Sequence, residues 1–368
     1  MAVIITPQLR IDEYFASERL NQSKLKNVTK GLQYMLSHTE DSPELHYEEK
    51  AYFITGSAVD TILTGEEGEY EKQYFVTKVP KPGPKLLSII HQVYDELHDN
   101  DIKIDLPLIE YKDMILAAID EHEYQPKWKE LTKLNKVLEH EEYFKELILQ
   151  EGKQIITEEK DENIKAIVKS LRENFKTARY FDREELAKYE NIDFYYQLPI
   201  YFTHEGFECK ALMDLLVVFK DSKGRVLRVV GADLKTMYGN PLDFPKNVKS
   251  HRYDCQAVWY NLAVEHFIKN VLQQYQEVQI DPFTFVVESS SHPGKPCVYT
   301  LEEDILDIAL NGRRGEYIGD SLVSYPIKGI RQFLDLYKFY VDNEWKIDYR
   351  ERNIGVDGIL KLGWGGIK

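Results

Sequence analysis

Cysteine is scarce: Cys209, Cys255 and Cys297 are the three in 368 residues, 46 and 42 positions apart and with no CxxC. Neither a four-cysteine zinc site nor an iron–sulfur cluster can be built from them alone, and a reducing, cytoplasmic compartment is the expected home. Long apolar runs are also missing. The longest, Ala211 to Phe219, has nine residues and is interrupted by Asp214, whereas a membrane-spanning helix needs roughly 20; no membrane partner is expected. The start, MAVIITPQLR, has no basic residue ahead of its short apolar run and does not read as a secretory signal. There is no G-x-x-x-x-G-K-[ST] and so no ATP motor, and there are no repeats or low-complexity tracts. Positive charge is in deficit: 47 Lys and Arg against 62 Asp and Glu leave a net charge of -15. That argues against indiscriminate binding to nucleic acid but leaves room for a local basic track.

What is present is the composition of a folded chain, 43% hydrophobic and 30% charged, long enough for two domains or for one with a large insertion. Leu25, Val28, Leu32 and Leu36 recur at helical spacing behind Ser23 as N-cap. A second helix is expected from about Glu49 to Leu63, stopping at Gly65. After Pro80, Pro82 and Pro84 the pattern from Leu86 to about Arg179 is helical and heavily charged, with apolar residues three or four apart in LLSIIHQVYDEL, DMILAAIDEHEY, VLEHEEYFKELI and ENIKAIVKSLRENF. Around Tyr195 the period changes. FYYQLPIYF, ECKALMDLLVVFK and RVLRVVGADLKT are rich in aromatic and β-branched residues and predict strands, the last two joined through Gly224 in DSKG. A helix from about Arg252 to Lys269, strands in PFTFVVES and CVYTL, and a helix from Ile330 to Asn343 follow. The expected division is 1–85 for N-terminal helices, 86–190 for a helical insertion, 191–300 for the catalytic core and 301–368 for a C-terminal helix and tail. In that tail Trp364 either docks on a partner or belongs to a frayed end.

The informative feature is Asp214 inside ALMDLLVVF, followed nineteen residues later by Asp233-Leu234-Lys235 in VVGADLKT. A carboxylate inside an apolar strand is costly unless something pairs with it. If the DSKG turn pairs Lys220 with Arg225, Asp214 lies opposite Gly231, and Gly231, Asp233 and Lys235 share its face because side chains alternate. Asp214 and Asp233 are then diagonal neighbours with α-carbons about 7 to 8 Å apart, and Gly231 leaves the space beside them open. An odd-length loop would turn Asp214 to the other face. Oxygen ligands with no nearby Cys or His pair suit a hard cation, Mg²⁺ or Mn²⁺, which accepts phosphate oxygens as additional ligands, so the expected substrate is a phosphate ester. Lys235 is placed to position the attacking water and to offset charge developing on the phosphate. The competing reading is a buried Asp–Lys ion pair that only ties two strands together; the register, the glycine and the following helix favour chemistry. In that helix, RYDCQAVWY, Gln256 and Tyr260 share one face and can together orient a water or a phosphate.

The order of an aspartate, then DLKT in a hairpin, then a YDxQAxxY helix resembles the exonuclease VIII branch of the PD-(D/E)XK nucleases, the phage and prophage recombination exonucleases. The resemblance extends to NQSKLK, FITGSAVDTILTG, GKQIITEEKDENIKAIVKSL and FTFVVESSSHPGKPCVYTL, and covers most of residues 18–300. It implies an α/β core with a mixed central sheet flanked by helices and carrying a helical insertion. It implies Asp214 and Asp233 as ligands of Mg²⁺ or Mn²⁺, Lys235 as the catalytic lysine, and Gln256 with Tyr260 as the supporting pair. Where that family's helix usually presents a histidine ligand this chain has Asp60, which can also ligate Mg²⁺. The implied activity is digestion of linear double-stranded DNA from its ends, leaving single strands for a single-strand annealing recombinase, with a ring-shaped homo-oligomer as the source of processivity. The rivals are an endonuclease or single-strand nuclease on the same core, and a non-catalytic DNA-binding or assembly protein that has kept the fold.

From Lys220 to Arg252 eight basic residues stand against three acids. Lys246, Lys249, His251 and Arg252, just before the Gln256 helix, are placed to hold the phosphates of an entering DNA strand; Ser23 and Lys24, with Lys26 and Lys30, form a second candidate contact. His251 and Cys255, four apart, are set aside as a base–nucleophile pair in favour of helix packing. Ser289 to Ser291 before His292 lack a G-x-S-x-G elbow and are expected to form a loop.

Overall fold

The computed structural model describes residues 3–5, 11–37, 46–100, 107–150, 152–182, 191–273, 277–318, 321–324 and 326–350. Trp364 lies outside them. The chain divides into two compact units, residues 1–65 with 167–368, and residues 66–166. The strands that matter below are, in chain order, β1 (Val3–Ile5), β2 (Tyr74–Thr77), β3 (Gln154–Thr157), β4 (Ile192–His204), β5 (Phe207–Lys220), β6 (Val226–Met237), β7 (Gln279–Ile280), β8 (Thr284–Ser289) and β9 (Cys297–Thr300).

The larger unit is built on a mixed sheet in the order β1-β4-β5-β6-β8-β9, with β7 also beside β6. β4, β5 and β6 run antiparallel, β1 joins β4 and β8 joins β6 in parallel, and β9 returns antiparallel to β8. The three long strands are the aromatic and β-branched segments expected from composition. β4 and β5 meet at Glu205-Gly206, both at positive φ (48° and 86°), a two-residue turn whose twist matches that of the strands it joins. Val229, Phe285 and Val287 of the sheet share one buried cluster with Trp259 of the Tyr253–His266 helix and with Phe333 and Tyr340 of the Ile330–Asp342 helix. The Trp259 indole Nε1 donates to the Lys210 carbonyl at 3.0 Å, pinning the Gln256-bearing helix to β5.

Three sequence expectations change. Asn21, not Ser23, caps the first helix of NQSKLK: its Oδ1 accepts the Lys24 N–H at 2.7 Å, which puts Ser23 inside Gln22–Asn27. The helical spacing from Leu25 to Leu36 is shared between two short helices, because Gly31 at φ 101° breaks the backbone after the Val28–Lys30 turn. The helix expected from Arg252 to Lys269 is preceded by Arg252 in the left-handed region (φ 56°), runs as Tyr253–His266 and ends in a π-helical stretch, Phe267–Val271. The Asp60 helix, His46–Thr64, matches expectation closely.

The smaller unit begins at residue 66 and ends at 166, where 86–190 was expected. Its helices Pro84–Asp99, Lys112–Glu121, Glu130–Leu138 and Glu141–Leu149 pack around Ile89, Val93, Ile115 and Phe144. The difference has a physical source: β2 and β3 pair in parallel within this unit, and strands of four residues are too short to show a period in sequence. The Ile330–Asp342 helix, expected in a separate C-terminal part, does not stand apart either, since Ile330, Phe333 and Tyr340 belong to the main core. Among the described residues no helix is long and apolar enough to cross a membrane.

Candidate active site

Strand register decides whether Asp214 and Asp233 can meet. Lys220 pairs with Val226 rather than Arg225, a displacement of one residue that by itself turns Asp214 away from Asp233. A bulge follows at once: Phe219 pairs with Arg228, leaving Leu227 as an extra residue on β6. The total displacement is two, so the face is restored. The ladder then runs to Leu216↔Gly231, where Gly231 had been expected opposite Asp214, and ends at Leu215↔Ala232, so that Asp214 and Asp233 are the next residue of each strand past its last rung.

Gly231 does not leave a void. A Cβ there would stand 2.8 Å from Met213 Cε and 3.0 Å from the Phe283 ring, so those side chains fill the space. Room for a substrate lies instead in a cleft of about 490 Å³ lined by Lys235, Gln256, Tyr260, Tyr253, Ser23 and Lys26, among others.

The Asp214 carboxylate accepts the Leu234 N–H at 2.8 Å and a hydrogen bond from the Gln197 side chain. Asp233 is buried; its Oδ1 accepts Gln256 Nε2 at 2.8 Å and its Oδ2 lies 2.6 Å from the Lys235 ammonium. Gln256 Nε2 also donates to the Tyr260 hydroxyl at 3.1 Å, so the two helix residues act as a pair, as their spacing predicts. Lys235 Nζ sits 4.9 Å from the Tyr253 ring centroid, within reach of a cation–π contact. Asp60 is carried to the same place by a close helix–sheet approach: at Gly56, one turn earlier, a Cβ would stand 3.1 Å from Thr236 Oγ1. The buried Oδ1 of Asp60 accepts no hydrogen bond.

The titration pattern follows from three carboxylates sharing one ammonium. Burial, then repulsion from Asp233, pushes the Asp214 carboxyl up to about 7. Burial and repulsion from Asp214 and Asp233 raise Asp60 well above the carboxylate range, and burial raises Asp233 against the opposing pull of Lys235. Burial alone would pull the Lys235 ammonium down, but Asp233 and Asp214 outweigh it and hold it charged above its ordinary range. Burial and the same carboxylates keep the Tyr260 phenol protonated.

The donors fit a hard divalent cation by type: oxygen only, crowded enough to repel one another, with an orphaned acceptor on Asp60. Among the described residues no three His, Cys, Asp or Glu side chains stand in a ready-made ligand shell. Mg²⁺ needs none, since it is commonly held by one or two carboxylates together with waters and substrate phosphate.

Six of the eight basic residues from Lys220 to Arg252 are paired with acids, three of them with acids outside that stretch. Lys220 pairs with Asp193, Arg228 with Asp281 and Arg252 with Asp254; within the stretch Arg225 pairs with Asp221, Lys246 with Asp243 and Lys235 with Asp233. Lys220, Lys223, Arg225 and Arg228 sit at the turn end of the hairpin, about 20 Å from Asp214 at roughly 3.3 Å per residue. Arg252 is committed to structure, donating also to the Lys328 carbonyl at 2.8 Å and to Cys255 Sγ at 2.9 Å. Lys24 and Lys249 are exposed but do not line the cleft, whereas Ser23 and Lys26 do. Lys26, whose Nζ donates to the His251 carbonyl at 3.3 Å, is lowered in pKa by burial and by the charges of Lys30 and Lys235. His251 and Cys255 lie on different helices, and burial pushes the Cys255 thiol up to about 12. Of the loop expected from Ser289, Ser289 itself is the last residue of β8, paired with Met237, and Ser290 to His292 lie outside regular structure. Gln197 and Thr64, passed over in the sequence, border the site as well.

No protein-family model and no curated protein matches the chain. Among solved structures it is similar to a protein from Eubacterium rectale provisionally named an exonuclease, at 12% identity and a TM-score of 0.45, over 97% of this chain and 96% of that one. A likeness that distant carries no argument, so the reading of the site rests on its own residues.

Proposed function

We propose that this chain is a metal-dependent nuclease that hydrolyses DNA phosphodiesters, acting from the ends of linear duplex to leave single strands. The observation that carries the reading is the convergence of Asp60, Asp214 and Asp233 on Lys235, whose side chain also lines the cleft of about 490 Å³ together with Gln256 and Tyr260. Asp214 and Asp233 would hold a divalent cation, with Asp60 alongside. Mg²⁺ or Mn²⁺ so held supplies Lewis-acid polarisation of the phosphate and a more acidic water. Lys235, kept protonated by the two aspartates, offsets charge developing on the phosphate and holds the attacking water. Gln256 fixes the Asp233 carboxylate by donating to it, and Tyr260, kept neutral, serves as a hydrogen-bond donor toward the cleft. Lys26 adds a second positive group on the cleft wall for a neighbouring phosphate. A recombinase that takes up the single strands and a ring of subunits around DNA are part of the same proposal.

The test compares linear duplex labelled at either terminus with closed circular duplex, with and without Mg²⁺. Release of label from the linear form, an intact circle and loss of both in EDTA support the reading. Cutting of the circle replaces it with an endonuclease, and full cleavage by Asp214→Ala removes the site assignment.

A further inference from the structure

Opposite Asp214 on its other side, the β4–β5 ladder is interrupted. Pairs run from Ile192↔Phe219 to Tyr196↔Leu215 and resume at Leu198↔Met213, so the missing rung is Gln197 with Asp214. Both strands change phase there: Tyr195 gives way to Leu198, Ile200 and Phe202 on the buried-cluster side of β4, and Met213 gives way to Leu216 on that of β5. Gln197 has φ 47°, a left-handed backbone that a long, unbranched polar side chain seldom adopts. Such an outlier persists only where surrounding contacts hold it, and its side-chain amide has two. It donates to the Asp214 carboxylate, and its Nε2 lies 3.4 Å from Thr64 Oγ1. The Thr64 hydroxyl in turn donates to the Asp60 carbonyl at 2.8 Å. Gln197 therefore bridges the helix that carries Asp60 and the strand that carries Asp214.

We propose that Gln197 is a positioning residue: a strut whose amide fixes the Asp60 helix against Asp214 and thereby sets the spacing of the two carboxylates. The role of the site in ion-dependent cleavage rests on the function proposed above; the strut itself does not. An interruption of the ladder alone would need only the backbone conformation, which glycine supplies better than glutamine. The amide is what glycine cannot supply.

Two variants separate backbone from amide. Gln197→Gly keeps the left-handed φ and loses the amide; Gln197→Met keeps the side-chain length and the same backbone strain but donates nothing. Mn²⁺ affinity, read by calorimetry, and single-turnover cleavage are expected to fall about tenfold in both, with KM for DNA unchanged. Wild-type Mn²⁺ affinity and turnover in Gln197→Gly would overturn the proposal. A second measurement needs neither metal nor activity. In metal-free protein the Tm shifts of Gln197→Met and Thr64→Val are expected to be non-additive, because the two share one bridge. Additive shifts would overturn the strut even in a fully active enzyme. A wild-type protein that neither binds Mn²⁺ nor cleaves DNA removes the nuclease reading and leaves the thermal coupling to decide the strut.

Discussion

The two ends of the β5–β6 hairpin hold the same residue types in opposite electrostatic states. At the turn end, Arg225 faces Asp221 and Arg228 faces Asp281, one cation to each acid, with both guanidinium side chains about half exposed. Backbone and side-chain hydrogen bonds from Arg225 lower the Asp221 carboxyl, and the Arg228 guanidinium lowers Asp281. At the other end Asp60, Asp214 and Asp233 share, among the described residues, the single ammonium of Lys235, largely out of water, and all three carboxyls are raised. Charge balance and hydration, not residue identity, separate a pair that closes a turn from a cluster with unmet demand for positive charge. A divalent cation or a polarised substrate meets that demand.

The sharpest way to break this comparison is Asp214→Ala, expected to lower Mg²⁺-dependent cleavage by on the order of 10³-fold while leaving DNA binding intact, as read by gel shift in Ca²⁺. Lys235→Met removes the sole ammonium and leaves buried carboxylates uncompensated. A destabilisation of about 3–5 kcal/mol is expected in urea unfolding of the metal-free protein at pH 8. A loss below about 1 kcal/mol would mean the cluster is better solvated than its burial implies.

The pH response comes next in size. A carboxyl raised in the folded state binds its proton more tightly folded than unfolded, so its contribution favours folding in acid. For Asp214 that contribution is lost as pH climbs from the unfolded value near 3.8 to about 7, and Asp60 and Asp233 act in the same direction. Lys235 stays charged throughout that window. Metal-free Tm should therefore decline between pH 5 and 8 by an amount on the order of 1–3 kcal/mol in stability, and the Tm gain from Mg²⁺ should grow over the same range. A flat profile, or a Mg²⁺ effect independent of pH, would contradict the crowded-carboxylate picture.

Gly231→Ala presses a methyl group onto Met213 and Phe283. The thioether end can shift more readily than the buried ring, so about 1 kcal/mol of destabilisation is expected in the same unfolding experiment. Smallest of all is Arg228→Ala at the turn end: under about 1 kcal/mol, shrinking further in 0.5 M salt, with cleavage unchanged. A larger effect on cleavage there would erase the contrast between the two ends.

Part of the site is legible in the sequence through turn length. The Glu205-Gly206 turn pairs His204 with Phe207, and that register, counted inward, sets Gln197 opposite Asp214. A tight turn has a definite length, so the glycine carries long-range information. The DSKG turn offers no such arithmetic, because the extra residue at Leu227 shifts the register by one just beyond it. Nor could the basic track be judged by counting along the chain, since Asp193 of β4 and Asp281, just after β7, come from distant positions to pair with it.

By itself, the sequence determined which segments alternate as strands, where the Asp60 and Gln256 helices run, and that carboxylates and an ammonium would fall on one hairpin. These are consequences of short-range periodicity and side-chain chemistry. Only the tertiary structure decided that a bulge at Leu227 brings Gly231 opposite Leu216 and leaves Asp214 and Asp233 just past the last rung, that Met213 and Phe283 occupy the space at Gly231, and that Asp60 joins through a helix drawn close at Gly56. Each depends on bulge parity or on packing between residues tens to hundreds of positions apart, where no local period reaches.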